Sequence, residues 1–221
     1  MTRPSVSPFV DETPGEAPVR GTLHRAAGSS GDFLVLTHGA SGDSNAALLV
    51  AVAEEFVAAG IGVLRCDLPY RQRRPHGPPS PATAKEDQEG LRRAVTLMKE
   101  QFPGRAFLGG SSYGGRQATL LLASNPGLVE GLLLLSYPLH PPGKPAQLRT
   151  AHFPQLRTPS LFVSGTKDAF GTIDELQAAI KLIPARTELV QIDGGAHGLS
   201  KPTTTKVVAG IVGRKFSEFF A

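Results

Sequence analysis

Short, wholly apolar runs alternate with segments of helical period along almost the whole chain, and this alternation limits the possible fold more than any single motif. Phe33-Leu34-Val35-Leu36-Thr37 precedes a segment in which Leu49, Val52, Ala53, Phe56 and Gly60 recur at helical spacing. Gly62–Asp67 leads, through a Pro- and Arg-rich loop at 68–82, to a helix with Leu91, Ala94, Val95, Met98 and Phe102 on one face. The pattern continues with Arg105–Gly109 before a helix at Tyr113–Ser124, and with the apolar run Val129–Ser136. Ser160–Ser164 then precedes a helix carrying Ile173, Leu176, Ile180 and Ile183, and Thr187–Ile192 precedes a closing helix through Val208, Ile211, Val212 and Phe219. Strands apolar on both faces and separated by amphipathic helices predict an α/β fold with a mostly parallel sheet covered on both sides.

No linker-like break in composition and no internal repeat divides the chain, so residues 19–221 are expected to form a single domain. Residues 1–18, rich in Pro, Ser and acidic groups, read as a flexible lead-in, extended or mobile, and Val19–Arg25 as an edge strand. Gly60 stands where a helix C-terminal cap belongs, while Thr83 with Glu86 and Thr172 with Glu175 have the spacing of capping boxes.

Bulk properties exclude some functions. The net charge of +4 is mild, and basic residues are not interleaved with aromatics, so no nucleic-acid partner is expected. The single cysteine, Cys66, excludes an internal disulfide and a Cys-based zinc site; its apolar neighbours predict a buried structural thiol. No run approaches the ~20 apolar residues of a membrane span, and none near Met1 has signal-peptide length. A cytoplasmic protein is the expectation.

The chemistry centres on Gly110-Ser111-Ser112-Tyr113-Gly114, between the run Arg105–Gly109 and the following helix. A tight strand-to-helix turn brings backbones too close for large side chains and presents the central serine in a strained, reactive pose. With 25 glycines in 221 residues the pattern alone is easily met by chance, so its context decides. Ligands collect at the carboxyl ends of parallel strands. Four features fall there: His38-Gly39-Ala40, Ser112, Asp168 and His197.

A serine needs a base within hydrogen-bond reach. Of the three histidines after Ser112, His140 and His152 lie in the irregular Pro-rich segment 137–159, whereas His197 follows a strand and two glycines. The imidazole needs an acid to hold its tautomer, and Asp168 at a strand end suits this better than Asp174 in a helix's first turn or Asp193 in a turn. The chain order Ser112, Asp168, His197 completes the pattern. Backbone donors for an oxyanion are expected from Tyr113, which follows the serine, and from Ala40, where Gly39 permits close approach. His38, Ser41 and Arg71 are candidate substrate-binding residues, His38 with a structural role as its alternative. The run Arg71-Gln72-Arg73-Arg74 is either a contact for an anionic substrate or a solvated basic loop.

These residues together resemble the α/β-hydrolase superfamily over nearly all of residues 20–220. Leu36–Asp43 and Leu161–Gly171 are similar, more closely, to a branch related to dienelactone hydrolases. The resemblance implies an α/β-hydrolase fold and a Ser-His-Asp hydrolase without metal or organic cofactor, acting on a small-molecule acyl substrate. Ser112 stands where dienelactone hydrolases carry cysteine, which argues against dienelactone as substrate. The segment 137–159 is too short for a large helical lid, so an open site and a small or exposed ester or thioester are expected. Acyl transfer to another acceptor and peptide cleavage use the same residues; a non-catalytic binding module is the alternative of a different class.

Overall fold

Each apolar run becomes a strand, because only pairing on both sides satisfies the backbone of a segment whose side chains face two cores. In the computed structural model, which describes residues 4–28, 30–199 and 205–221, the strands are β1 (Ser5–Asp11), β2 (Val19–Arg25), β3 (Phe33–Thr37), β4 (Gly62–Asp67), β5 (Ala106–Ser111), β6 (Gly131–Leu135), β7 (Ser160–Gly165) and β8 (Thr187–Ile192). They form one sheet in the order β1-β2-β4-β3-β5-β6-β7-β8. From β4 to β8 every pairing is parallel, while β1 and β2 are antiparallel additions.

Alternate residues feed two cores. Phe33, Val35, Leu64, Leu108, Leu134 and Phe162 face α3 (Ala84–Gln101), α4 (Tyr113–Ser124) and α5 (Ile173–Ile180). Leu34, Leu36, Val63, Phe107, Leu133 and Val163 face α1 (Ala47–Ala58) and α6 (Thr205–Phe220), where Phe56 and Phe216 meet with ring centroids 4.7 Å apart. Cys66 lies inside the first core, and burial pushes its thiol up to about 12, as expected of a structural cysteine.

The helix ends separate correct from incorrect cap expectations. Gly60, at φ +86, lets Ile61 N–H reach the Phe56 carbonyl (2.9 Å) while its own N–H reaches Val57, ending α1 in a Schellman motif. Thr172 and Glu175 form the expected reciprocal capping box on α5. Thr83 and Glu86 do not. A 3₁₀ turn over Pro81–Thr83 precedes α3, and Ser80 caps it by accepting from Ala82 N–H. Thr83 donates back to the Ser80 carbonyl, and Glu86 pairs with Arg73 instead.

Part of the lead-in is extended and paired into the sheet. Residues 5–11 form the outermost strand, in register from Ser5↔Arg25 to Asp11↔Val19, and Asp11 is held by Arg93 at 3.1 Å. Val19–Arg25 is therefore not an edge strand, since β1 covers its outer side. Part of the expected loop at 68–82 is also helical: α2 (Pro69–Arg73) starts on a proline whose fixed φ suits a first turn.

The topology places the site. From β4 the chain crosses back past β3 to β5, so the loops after β3 and β5 leave neighbouring strands where strand order reverses. A crevice opens beyond the carboxyl ends of strands at such a reversal.

Candidate active site

Ser112 sits between β5 and α4 with φ +48 and ψ −112, a conformation that L-residues avoid. The glycines around it make this possible. A Cβ on Gly110 would lie 2.6 Å from backbone atoms of Gly114 and Gly115, and one on Gly114 would lie 2.4 Å from the His38 carbonyl oxygen. The elbow is thus pressed against the loop that follows β3.

His197 Nε2 lies 2.8 Å from Ser112 Oγ, and its Nδ1 lies 2.8 and 2.9 Å from the two carboxylate oxygens of Asp168. The Asp168 side chain is buried, and Oδ1 also accepts from Phe170 N–H at 2.8 Å. The loops carrying acid and imidazole are laced together: Lys167 N–H donates to the Gly195 carbonyl at 2.8 Å, and a Cβ on Gly165 would lie 2.1 Å from that oxygen. Two residues not singled out from the sequence hold the ring further. Phe170 stacks on it with centroids 3.9 Å apart, and Ser136, itself at φ +49, accepts from Gly198 N–H. The signal for Phe170 was its place two residues after Asp168; Ser136 has none, because its partner is remote in sequence.

The rival groups lie elsewhere. His152 Nε2 meets Thr119 Oγ1 at 2.8 Å, and burial with the nearby Arg116 charge pushes this imidazole down to about 4. His140 faces Glu175, Asp193 meets Thr166, and Asp174 stands in the first turn of α5.

Among the described residues neither Ala40 N–H nor Tyr113 N–H donates to a protein acceptor. Both residues line one cleft of about 1000 Å³ together with Ser112 and His197. The loop bearing Ala40 is fastened from behind. Tyr70 Oη donates to the carbonyls of Ala40 (2.9 Å) and Gly39 (3.2 Å). Asp87, fully buried, accepts from Tyr70 N–H (3.0 Å) and from Tyr113 Oη (2.8 Å); burial raises its carboxyl pKa. The sequence offered no cue for Tyr70 or Asp87 beyond their helical positions.

The three candidate substrate contacts diverge. Ser41 is exposed on the cleft rim. His38 is fully buried: Leu68 N–H donates to its Nε2 at 3.1 Å and Nδ1 faces the Gly39 carbonyl at 2.8 Å. Burial pushes its pKa down, so the neutral ring buttresses the loop. Arg71 is not solvated and does not line the cleft. It is buried, and its guanidinium donates to the carbonyls of Ala40, Gly42, Arg74 and Gly77 at 2.9–3.2 Å. Those bonds take four of its five N–H donors.

The connection 136–159 contains only one 3₁₀ turn, Phe153–Gln155, and contributes Pro138 and Arg149 to the cleft wall. The opposite stretch Pro78–Pro81 supplies another part of that wall. Among the described residues no helix is long and apolar enough to cross a membrane.

Known structures share this architecture. A dienelactone hydrolase from Anabaena variabilis is 20% identical with a TM-score of 0.77, each chain covered to 99%. Est1E from Butyrivibrio proteoclasticus is 18% identical with a TM-score of 0.75, covering 96% of this chain and 98% of its own. A serine hydrolase without lid from Xanthomonas campestris is 15% identical with a TM-score of 0.73, over 99% of this chain and 95% of its own. Residues 30–209 match the family described as an alpha/beta hydrolase domain, and the chain, related in fold to dienelactone hydrolases, belongs to that family.

Proposed function

We propose that the protein is a serine hydrolase that cleaves a small or exposed ester or thioester through an acyl-enzyme on Ser112. The observation that carries this reading is the unbroken line of hydrogen bonds from Ser112 Oγ through His197 to Asp168, with the serine held at φ +48. His197 Nε2 takes the serine proton as Oγ attacks the carbonyl carbon. Asp168 keeps Nδ1 protonated and stabilises the imidazolium. The N–H groups of Ala40 and Tyr113 receive the oxyanion, and Tyr113 adds the positive end of α4. The imidazolium then protonates the leaving oxygen or sulfur. A water deprotonated by the same ring attacks the acyl-enzyme and releases the acid.

Two of the similar structures are named a dienelactone hydrolase and a serine hydrolase without lid, in keeping with this chemistry. The test is a panel of short-chain p-nitrophenyl esters together with labelling by a fluorophosphonate. Ser112→Ala is expected to lower kcat by at least about 10⁴-fold and to abolish labelling. Labelling that persists undiminished in that variant overturns the assignment.

A further inference from the structure

Two arginines border the cleft with no acid to neutralise them. Among the described residues, those lining it include no Asp or Glu, and their only guanidinium or ammonium groups are those of Arg116 and Arg149. Arg116 lies one turn along α4 from Ser112, whose carbonyl accepts its backbone N–H at 3.0 Å. That places its Cα about 6 Å further along the helix axis than the serine. Arg149 comes from the connection 136–159, where its backbone N–H is fixed to the Leu139 carbonyl.

Several other arginines have partners, and those without a hydrogen bond or ion pair among the described residues, Arg157, Arg186 and Arg214, are exposed. Arg73, Arg92, Arg93 and Arg105 pair with carboxylates, while Arg65 and Arg71 donate to backbone carbonyls. Among the described residues Arg116 makes no side-chain hydrogen bond, and its Nε is buried without an acceptor. Arg149 makes one long contact, to the Pro138 carbonyl at 3.4 Å. Gln117, fully buried next to Arg116, likewise has an amide nitrogen with no acceptor. Burial, and then the Arg116 charge, lower the pKa of Arg149, so the two guanidinium groups feel one another. Unpaired, partly buried like charges are costly unless an anion joins them. A planar guanidinium fork matches carboxylate or phosphate oxygens.

We infer that Arg116 and Arg149 form an anion subsite beside Ser112, so that the ester cleaved there carries a carboxylate or phosphate a few bonds from the scissile carbonyl. As a statement about substrate this rests on the serine-hydrolase reading; as a statement about binding it does not.

The experiment therefore has two arms. In the first, kcat/KM is measured for p-nitrophenyl hydrogen adipate and for p-nitrophenyl hexanoate, two esters with six-carbon acyl chains. The wild type is expected to prefer the anionic ester by about tenfold or more, and Arg116→Gln to reduce that preference by about tenfold. Arg116→Lys, which keeps the charge without the fork, is expected to restore part of it. In the second arm, titration calorimetry measures adipate and inorganic phosphate on the Ser112→Ala protein. Binding is expected to weaken about tenfold in Ser112→Ala/Arg116→Gln and further when Arg149→Gln is added.

Tighter adipate binding identifies a carboxylate ester, and tighter phosphate binding a phosphate-bearing one. Arginine-dependent binding without hydrolysis of any ester supports the subsite and sinks the hydrolase reading. Ser112-dependent hydrolysis with no anionic preference and no binding of either anion overturns the subsite and leaves the hydrolase reading standing.

Discussion

The cleft is bordered by two regions whose arginines are used in contrary ways. Behind the loop after β3, Arg71 is buried and spends four of its five donors on carbonyls, while Tyr70, Asp87 and His38 extend the set of hydrogen bonds. On the side of α4 and the connection 136–159, Arg116 and Arg149 leave their donors largely unspent. The same residue type thus acts as internal mortar in one place and as a chemical surface in the other. A densely bonded network fixes geometry, because shifting any member leaves another unsatisfied. An unsaturated pair remains available to a ligand.

The comparison breaks most severely at Gly114. A Cβ there would meet the His38 carbonyl at 2.4 Å and the Thr37 Cγ2 at 2.6 Å, so Gly114→Val forces the loop bearing Ala40 away from the elbow. Losing one aligned oxyanion donor costs roughly 10²–10³ in kcat, and overpacking costs about 1–3 kcal/mol; ester kinetics and urea unfolding measure both. Next comes Arg71→Met, which strips the carbonyls of Ala40 and Gly42 of a buried charged donor. It is expected to lower kcat by about 10–100-fold and stability by about 2 kcal/mol, far more in kcat than in KM. Tyr70→Phe removes only the hydroxyl from the Ala40 carbonyl and should cost about 1 kcal/mol in stability with a several-fold fall in kcat. A kcat insensitive to all three substitutions would mean that this network holds nothing the reaction uses.

The smallest effect concerns pH and marks how far the charge of Arg116 reaches. The folded state keeps His152 neutral down to about 4, against 6.5 for an ordinary histidine. As pH falls the unfolded chain takes up this proton first, so stability drops between about 6.5 and 4 and levels off below. The stability difference between wild type and His152→Gln, measured by urea unfolding across that range, should shrink as pH falls. It should shrink less in an Arg116→Gln background, since that charge is one of the two causes of the shift.

These two regions also differ in how much of them the sequence disclosed. The parallel strands, the elbow around Ser112, and the candidates Asp168 and His197 were legible because their signals are local: apolar runs, flanking glycines, strand ends and chain order. The Arg71 network was not, since Arg71 and Ala40 lie 31 residues apart and nothing in the 71–74 run tells a buried clasp from a solvated loop. Nor was the pairing of residues 5–11, whose composition suits mobility and whose strand exists only because β2 offers an open edge. The Thr83–Glu86 spacing failed for a similar reason: Pro81 moves the start of the helix upstream, and Arg73 captures the glutamate. Arg116 follows the elbow directly, but its lack of an acidic partner is a property of the assembled cleft.

Cys66 gives the molecule a reporter of its own. It is the only thiol in the chain, it lies in β4 between β2 and β3, and burial holds it at about 12, far from the thiolate that alkylating reagents attack. Iodoacetamide therefore has no sulfur to modify until the central sheet itself comes apart. Its rate of uptake is a clock for global opening, silent to motions confined to the cleft, so loss of architecture can be timed separately from loss of turnover in any variant.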